Sequence, residues 1–466
     1  MRCRTLLSVI ALVLIACSDA PAPTEPQPPL FSTTNSLGYT AIDLGPGWPN
    51  AINDAGQVVG VSMASGEQHA FLWENGVMHD LGRGSGRRIH NSGQVVGWSY
   101  TASGQRHAAL WEEGAVRDLG SLGGELAYGE DINDAGQVAG ASMFDASGIT
   151  HAFLWEDGVM QDLGTLFGGW SDAYDINNAG QVIGNSQSGE SPYYSHGFLW
   201  ENGVMHDLGT LGSISSEAHA INDAGQIAGS AAWRAVVWEN GVIHELGLST
   251  HSSSSAADIN EAGQVVGHSW SEEAGETHAF LWENGVVLDL GTLGGVWSEA
   301  RQVNEVGQVA GNSATATGEQ HAFLWQNGVM HDLGTLGGHQ SRVRWMIGAL
   351  NNLGQVVGTS QAASGEWRGT LWRRLTPVEH LLTCTDLVTD LETLGVLNSG
   401  QAHSFVNKIN LATAMLNDGK NTPAINMLEA FQNEASGYVN GGNVTPEQGE
   451  GLISCVQVVI DDATGS

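Results

Sequence analysis

Short runs of alternating apolar and polar residues, punctuated by glycine-rich turns, fill the chain from about residue 37 to residue 375. The copy from Gly307 to Gly338 shows what one run can build. Gln308 to Ser313 predicts a short strand. In His321-Ala-Phe-Leu-Trp325 the two-residue period places His321, Phe323 and Trp325 on one face. Asn327-Gly328 supplies the two positive-φ residues of a tight hairpin. Val329 to Gly334 returns as a third strand, and Arg301 to Asn304 upstream reads as a fourth. Each copy is therefore expected to be a four-stranded meander. Apolar residues on both faces of the His-Ala-Phe-Leu-Trp strand predict a sheet packed between two neighbours, with the hairpin Trp in the core.

The Gly-Gln turn recurs at Gly56, Gly93, Gly136, Gly180, Gly225, Gly263, Gly307 and Gly354, at intervals of 37 to 47 residues. The hairpin Trp follows it each time, from Trp73 to Trp372. That period suits one four-stranded propeller blade. The Asp/Glu-Leu-Gly strand has the same number of copies but is offset. One copy, Tyr39 to Gly45, precedes the first Gly-Gln turn, and none follows Trp372. If Tyr39 to Gly45 completes the last unit, strands from both ends of the run fasten a ring and remove its open sheet edges. The expected fold is mainly β: an eight-bladed propeller over residues 37–375, closed by an N-terminal strand.

The pattern changes after Leu375. Thr376-Pro-Val-Glu379 is a helix start, with an N-cap Thr, Pro at the first helical position and Glu three residues after the cap. Thr445-Pro-Glu-Gln448 repeats the device. Phe405, Ile409, Ala412 and Leu416 share one helical face, as do Ala424, Met427, Leu428 and Phe431. Residues 376–466 are expected to form a small bundle of three or four helices. At the other end, Arg2 and Arg4 precede an apolar run from Leu6 to Ile15, too short for a permanent span and flanked like a secretory signal. Residues 17–36 then read as a flexible tether, rich in Pro and small polar residues from Ser18 to Pro29.

Charge narrows the partners. Lys+Arg number 16 against Asp+Glu 50, a formal net charge of -34. Such a surface repels phosphate backbones and argues against nucleic-acid binding. Cys384 and Cys455 fall outside the repeats; in an oxidising compartment a disulfide is the natural reading, and two buried thiols are the alternative.

Three resemblances follow from these residues. Leu14-Ile15-Ala16-Cys17 resembles a bacterial lipobox, which implies cleavage after residue 16, lipidation of Cys17 and anchorage in the outer membrane or at the cell surface. Asp258-Ile-Asn-Glu-Ala-Gly-Gln-Val-Val-Gly267 and His278-Ala-Phe-Leu-Trp-Glu-Asn-Gly285 resemble the HAF-repeat family of extracellular proteins, over about three quarters of the chain. This implies a secreted repeat protein and supplies no activity. Arg234-Ala-Val-Val-Trp238 and Arg368-Gly-Thr-Leu-Trp372 depart from that pattern. Gly400 to Leu416, Ala424 to Phe431 and Thr445 to Ile460 are similar, more loosely, to the FIMAH-type helical module of bacterial surface proteins, an accessory interaction or attachment unit.

Little in the chain points to chemistry. It contains no Gly-x-Ser-x-Gly elbow, His-Glu-x-x-His, phosphate-binding loop or Cys-x-x-Cys, and Lys occurs only at Lys408 and Lys420. No catalytic residue, metal site or cofactor is expected. His69, His107, His151, His196, His278 and His321 share one repeat position. Neighbouring copies would lie ~10 Å apart, too far for a shared zinc with bonds of ~2.1 Å. A hydrogen bond within the blade, as for the histidine of WD repeats, is the better reading. The Asn-Asp-Ala-Gly turns, as at Asn53 to Gly56, lack the ligand spacing of a calcium loop and suit tight turns.

Loop geometry is the most useful functional clue. The Asn-Asp-Ala-Gly and Glu-Asn-Gly turns share one end of the meander and barely vary among the copies. The opposite end carries long, varied connections holding Trp48, Tyr128, Trp170, Trp297 and Trp345 between blades, and Tyr193, Tyr194, Trp233, Trp270 and Trp367 within them. A rigid scaffold with varied aromatic loops is how binding sites are built. A non-catalytic, surface-anchored propeller binding a protein or glycan is the first expectation. The alternatives are a hydrolase or lyase acting on an extracellular polymer through channel carboxylates Asp131, Asp175 and Asp258, and a structural role in the envelope.

Overall fold

The structure is a computed structural model and describes residues 38–464 apart from 146–147, 190–193, 248–252, 272–274 and 346–347. The signal, Cys17, the tether and Tyr193 lie outside the described residues. The chain divides into two compact units at Leu375/Thr376.

The larger unit is a series of four-stranded antiparallel meanders in propeller-like order. In one of them, strands Ala127–Ile132, Val138–Met143, Thr150–Glu156 and Val159–Gly164 pair in sequence order. Its first turn is built by Asn133. The side-chain oxygen accepts from the Gln137 amide at 3.0 Å, the side-chain nitrogen donates to the Gln137 side chain at 2.7 Å, and Gly136 takes φ +78°. The hairpin turn at Asp157-Gly158 has φ of 51° and 90°, the left-handed pair that matches strand twist. Elsewhere one long strand, Val77–Ile89, serves as the outer strand of one meander and the inner strand of the next.

The N-terminal strand Tyr39–Gly45 pairs with Trp367–Arg374, in a sheet with Gly337–Arg342 and Val356–Ala362. Asp43 faces Thr370 there as Asp332 faces Phe323 in the preceding meander. The expected pairing across the two ends of the repeat run is therefore present. Leu371 and Trp372 beneath it are fully buried.

Hydrophobic cores lie between successive sheets. Val96 and Leu110 of one meander pack with Ile132, Val138, Phe153 and Trp155 of the next. The cluster around Trp372 takes in Ile52, Val58 and Phe71 from the first meander and Ala310 and Leu324 from the penultimate one. A hydrogen-bonded relay runs alongside. The side-chain amides of Asn133, Asn177, Asn222, Asn260, Asn304, Asn351 and Asn53 each donate to the backbone carbonyl of the next unit's turn at 2.9–3.1 Å. The step from Asn351 to Asn53 brings the relay back to the first turn. His90 stands where an Asn would, and its Nε2 meets Asp134 at 2.6 Å instead.

Among the described residues the smaller unit has four helices, Pro377–Thr393, Ser399–Asn417, Asn421–Asn440 and Pro446–Thr464. Capping boxes open the first, at Thr376 and Glu379, and the second, at Asn398 and Gln401; Thr445 and Gln448 make the same reciprocal bonds at the fourth. Phe405, Phe431, Leu381, Leu428 and Val456 fill the centre, with the two Phe rings 4.4 Å apart. Cys384 and Cys455 form a disulfide joining the first helix to the last. A loop of 71 residues closed in this way is stabilised by about 4 kcal/mol in the chain-entropy model. Among the described residues no helix is long and apolar enough to cross a membrane.

Candidate functional site: the central cavities

In seven of the meanders the inner strand does not follow a strict two-residue period. Register shifts at Pro49/Ala51, Gly86/Arg88, Ala173/Asp175, Ala218/Ala220, Ala256/Asp258 and Ala300/Gln302, and at the equivalent place beside Glu130, mark a β-bulge. A bulge sets two consecutive residues against one partner and re-aims their side chains. Both members of five of these pairs, Arg87-Arg88, Glu130-Asp131, Tyr174-Asp175, Ala257-Asp258 and Arg301-Gln302, line central cavities. The glycine that ends the Gly-Gln-Val-x-Gly motif makes the bulge possible. A Cβ on Gly140 would fall on the carbonyl oxygen of Tyr128, and one on Gly184 on that of Asp172.

One cavity, of about 370 Å³, opens among the Asn turns. Asp131, Asp175 and Asp258 lie inside it, all buried, facing Arg88. The Arg88 Nε is 2.8 Å from Asp131. Burial works against the Arg88 charge, but Asp131, Asp175 and Asp258 outweigh it and raise its pKa. Asp175 is held well above the usual carboxylate range by burial, then by the charge of Asp131 and a hydrogen bond with it. Burial pushes Asp258 up to about 7, against the N–H groups of Val303 and Ile259 that favour its ionised form. Each carboxylate also accepts a backbone N–H from the next inner strand: Ile176 on Asp131 at 3.3 Å, Ile221 on Asp175 at 2.9 Å and Val303 on Asp258 at 3.0 Å. Asp131 and Asp175 thus converge while also tying neighbouring sheets together.

The second cavity, of about 440 Å³, lies on the other side of Arg88, towards the varied connections. It is lined by Arg87, Glu130, Tyr174, His219, Arg301 and Trp345, with Asn185 and Glu217 beside them. Arg87 pairs with Glu130 and lies 4.5 Å over the Tyr128 ring. Arg301 pairs with Glu299 and stacks 3.2 Å from the centre of the Trp345 ring. His219 Nδ1 meets the Ala256 carbonyl at 2.6 Å. Apart from Trp345, sequence reasoning missed this lining. A strict two-residue alternation turns every second residue of the inner strand away, and only the bulge-forming glycine signals otherwise.

The ten aromatic candidates fare unevenly. Trp170, Tyr194, Trp233 and Trp345 lie in connections, as expected. Trp48, Tyr128, Trp270, Trp297 and Trp367 sit within strands instead, because the strands run further towards this end than the polar spacing suggests. Trp233 and Trp345 are 75% and 69% exposed, and Tyr194 and Trp270 are also exposed. Trp48, Tyr128, Trp170, Trp297 and Trp367 are half-buried. Arginines cover several of them: Arg344 lies 5.6 Å over Trp48 and Arg342 4.4 Å over Trp367. The structure brings Trp345 to the cavity and leaves Trp233 outside its lining.

The outer histidines are structural. His69, His107, His151, His196, His278 and His321 each bond the Asp of their own meander at 2.8–3.0 Å. Where the His is replaced, Arg234 pairs with Glu245 and Arg368 with Asp43.

No protein-family model matches the sequence, and no curated protein matches it. Among solved structures, the acylaminoacyl peptidase of Pyrococcus horikoshii is similar at 14% identity and TM-score 0.41, over 61% of this chain and 51% of its own. This chain thus spans about half the length of that peptidase. TolB from Acinetobacter baumannii is similar at 9% identity and TM-score 0.32, over 72% of this chain and 82% of its own. Dipeptidyl peptidase 4 of Porphyromonas gingivalis gives 10% and 0.29, over 71% and 53%. None of these likenesses extends to a site or an activity.

Proposed function

We propose that this is an exported, surface-anchored eight-bladed propeller of the HAF-repeat kind that binds a protein or glycan without catalysis. Tyr39–Gly45 would supply the last strand of the last blade, Cys17 the lipid anchor, and the four-helix unit an accessory attachment module. The binding face would be the end opposite the Asn turns. The observation that carries this reading is the set of exposed aromatics there, Trp233, Trp345, Trp270 and Tyr194, on sheets linked by the side-chain relay. Rigid mounting of large, exposed rings lowers the entropic cost of binding. Glycan arrays and pull-downs with the delipidated protein test it. Alanine at Trp233 and Trp345 is expected to weaken the detected binding at least tenfold, and unchanged binding would refute the face.

A second reading is favoured by one observation, the convergence of Asp131 and Asp175. Carboxylates that share a hydrogen bond can hold one proton between them, as an acid–base pair does. Glycosidic hydrolysis, however, needs its two carboxyl groups about 5–9.5 Å apart, wider than two carboxylates joined by a direct hydrogen bond. Asp175→Asn measured on extracellular polysaccharides decides the matter, since a polymer-cleaving activity abolished by that change would establish the enzyme.

A further inference from the structure

We infer that the 440 Å³ cavity is a subsite for a carboxylate-bearing sugar, with Arg301 as its anchor and Trp345 as its stacking wall. The inference rests on the binding reading above and names the ligand class.

Arg301 is the first reason. It is only 8% exposed, and Glu299 takes its Nη2, yet its Nε and Nη1 have no hydrogen-bond partner. A buried guanidinium with idle donors is unfavourable unless an acceptor comes from outside. Arg88, at the boundary of the two cavities, likewise leaves Nη1 without a partner. The second reason is where the scarce cations lie. The chain has 16 Lys and Arg against 50 Asp and Glu, yet Arg87, Arg88 and Arg301 surround this one space. Arg342 and Arg344 add charge nearby: burial, then Arg342 and Arg87, lower the Arg344 pKa.

The remaining lining selects among anions. Glu130 and Glu217 share the cavity wall, so a dianionic phosphate meets more repulsion than a single carboxylate. Guanidinium donors also match a planar carboxylate. Tyr174, His219, Asn185 and the two Glu can exchange hydrogen bonds with hydroxyl groups, which an apolar acid lacks. Trp345 presents a largely exposed indole at the rim, suited to the C–H face of a pyranose. A volume of this size accepts a small ligand, so a hexuronate residue at a chain end fits the chemistry.

The test is calorimetric titration of the whole protein with galacturonate and glucuronate oligomers, their neutral galactose and glucose counterparts, a peptide with a free C-terminal carboxylate, and inorganic phosphate. The uronates are expected to bind at least tenfold more tightly than every other probe, with affinity falling as salt rises. Arg301→Gln should reduce uronate affinity at least tenfold, and Trp345→Ala several-fold, with melting curves showing both variants folded. If Arg301→Gln fails to fold, the ranking of probes on the unaltered protein still decides. Equal binding of neutral sugars, or tighter binding of peptide or phosphate, would overturn the inference. A neutral glycan or protein held by contacts that Trp233→Ala weakens and Arg301→Gln does not would sink this subsite and keep the loop face. Absence of any binding in arrays, pull-downs and titrations would sink both.

Discussion

The outer and inner edges of the repeated meander are built on opposite rules. At the outer edge the same pair recurs, His with Asp eleven residues on, and Arg234 with Glu245 or Arg368 with Asp43 takes its place without losing the bond. At the inner edge the equivalent positions hold Asn50, Arg87, Glu130, Tyr174, His219, Ala257 and Arg301, and then Ala51, Arg88, Asp131, Asp175, Ala220, Asp258 and Gln302. The bulge is common to them all, while the side chains it delivers differ. Uniform chemistry at the edge secures the scaffold, and varied chemistry at the centre is where selectivity can reside.

Removing residues 38–45 should break the outer edge most severely. It strips the pairing from Trp367–Arg374 and uncovers Leu371 and Trp372, both fully buried. Leaving even one large apolar side chain exposed costs about 1.5–3 kcal/mol. Loss of a cooperative thermal transition, or aggregation on gel filtration, is the expected outcome. A deletion that melts like the intact protein would mean that this edge is dispensable.

At the inner edge, Asp258 offers a pH test. Its pKa rises from the ordinary 3.8 to about 7 on folding because it is buried. The folded state therefore holds the proton more tightly than the unfolded state, and stability falls as pH rises from about 4 through 7. That displacement is worth on the order of 4 kcal/mol. Asp258→Asn keeps an acceptor for the Val303 N–H and removes the charge. Its stability relative to the unaltered protein should improve steadily over that window in urea titrations. A constant difference from pH 4 to pH 8 would show that Asp258 stays ionised.

The bulge itself is tested by Gly140→Ala, whose Cβ would fall on the Tyr128 carbonyl and 3.0 Å from the Phe153 ring. A loss of about 3 kcal/mol is expected. Gly104→Ala, at φ +85° in open space, should cost only about 1 kcal/mol, and equal losses would mean that close approach is unimportant. An effect as small as that of Gly104→Ala belongs to Asp162→Ala, which removes the contacts to His151 and to the Gly164 N–H at the rim. About 1 kcal/mol is expected in chemical denaturation.

These edges also differ in how far the sequence disclosed them. The hairpin Asn-Gly pairs, the recurring Trp and the surplus strand at Tyr39 were legible, because turns and alternation are local. So were the helix starts at Thr376 and Thr445, whose capping partners stand three residues away. The cavity lining was not. Arg87, Glu130, His219 and Arg301 lie at bulged positions, where counting by twos fails. The five aromatics placed in strands were misjudged for a related reason: glycine and serine beside Trp297 or Trp48 look like loop, yet the sheet carries them.

One bond at the seam has a mechanical consequence. The Leu375 amide donates to the Gly38 carbonyl at 3.0 Å, beside the first rung of the pairing between Tyr39 and Arg374. The two strands are antiparallel, so the chain enters and leaves the sheet at the same end of that ladder. Tension applied between these two points would open the rungs one after another, as a zip is drawn, and would not load them together in shear. Pulled from its ends, the larger unit would yield first and at low force at this junction, while the meanders away from it stayed folded.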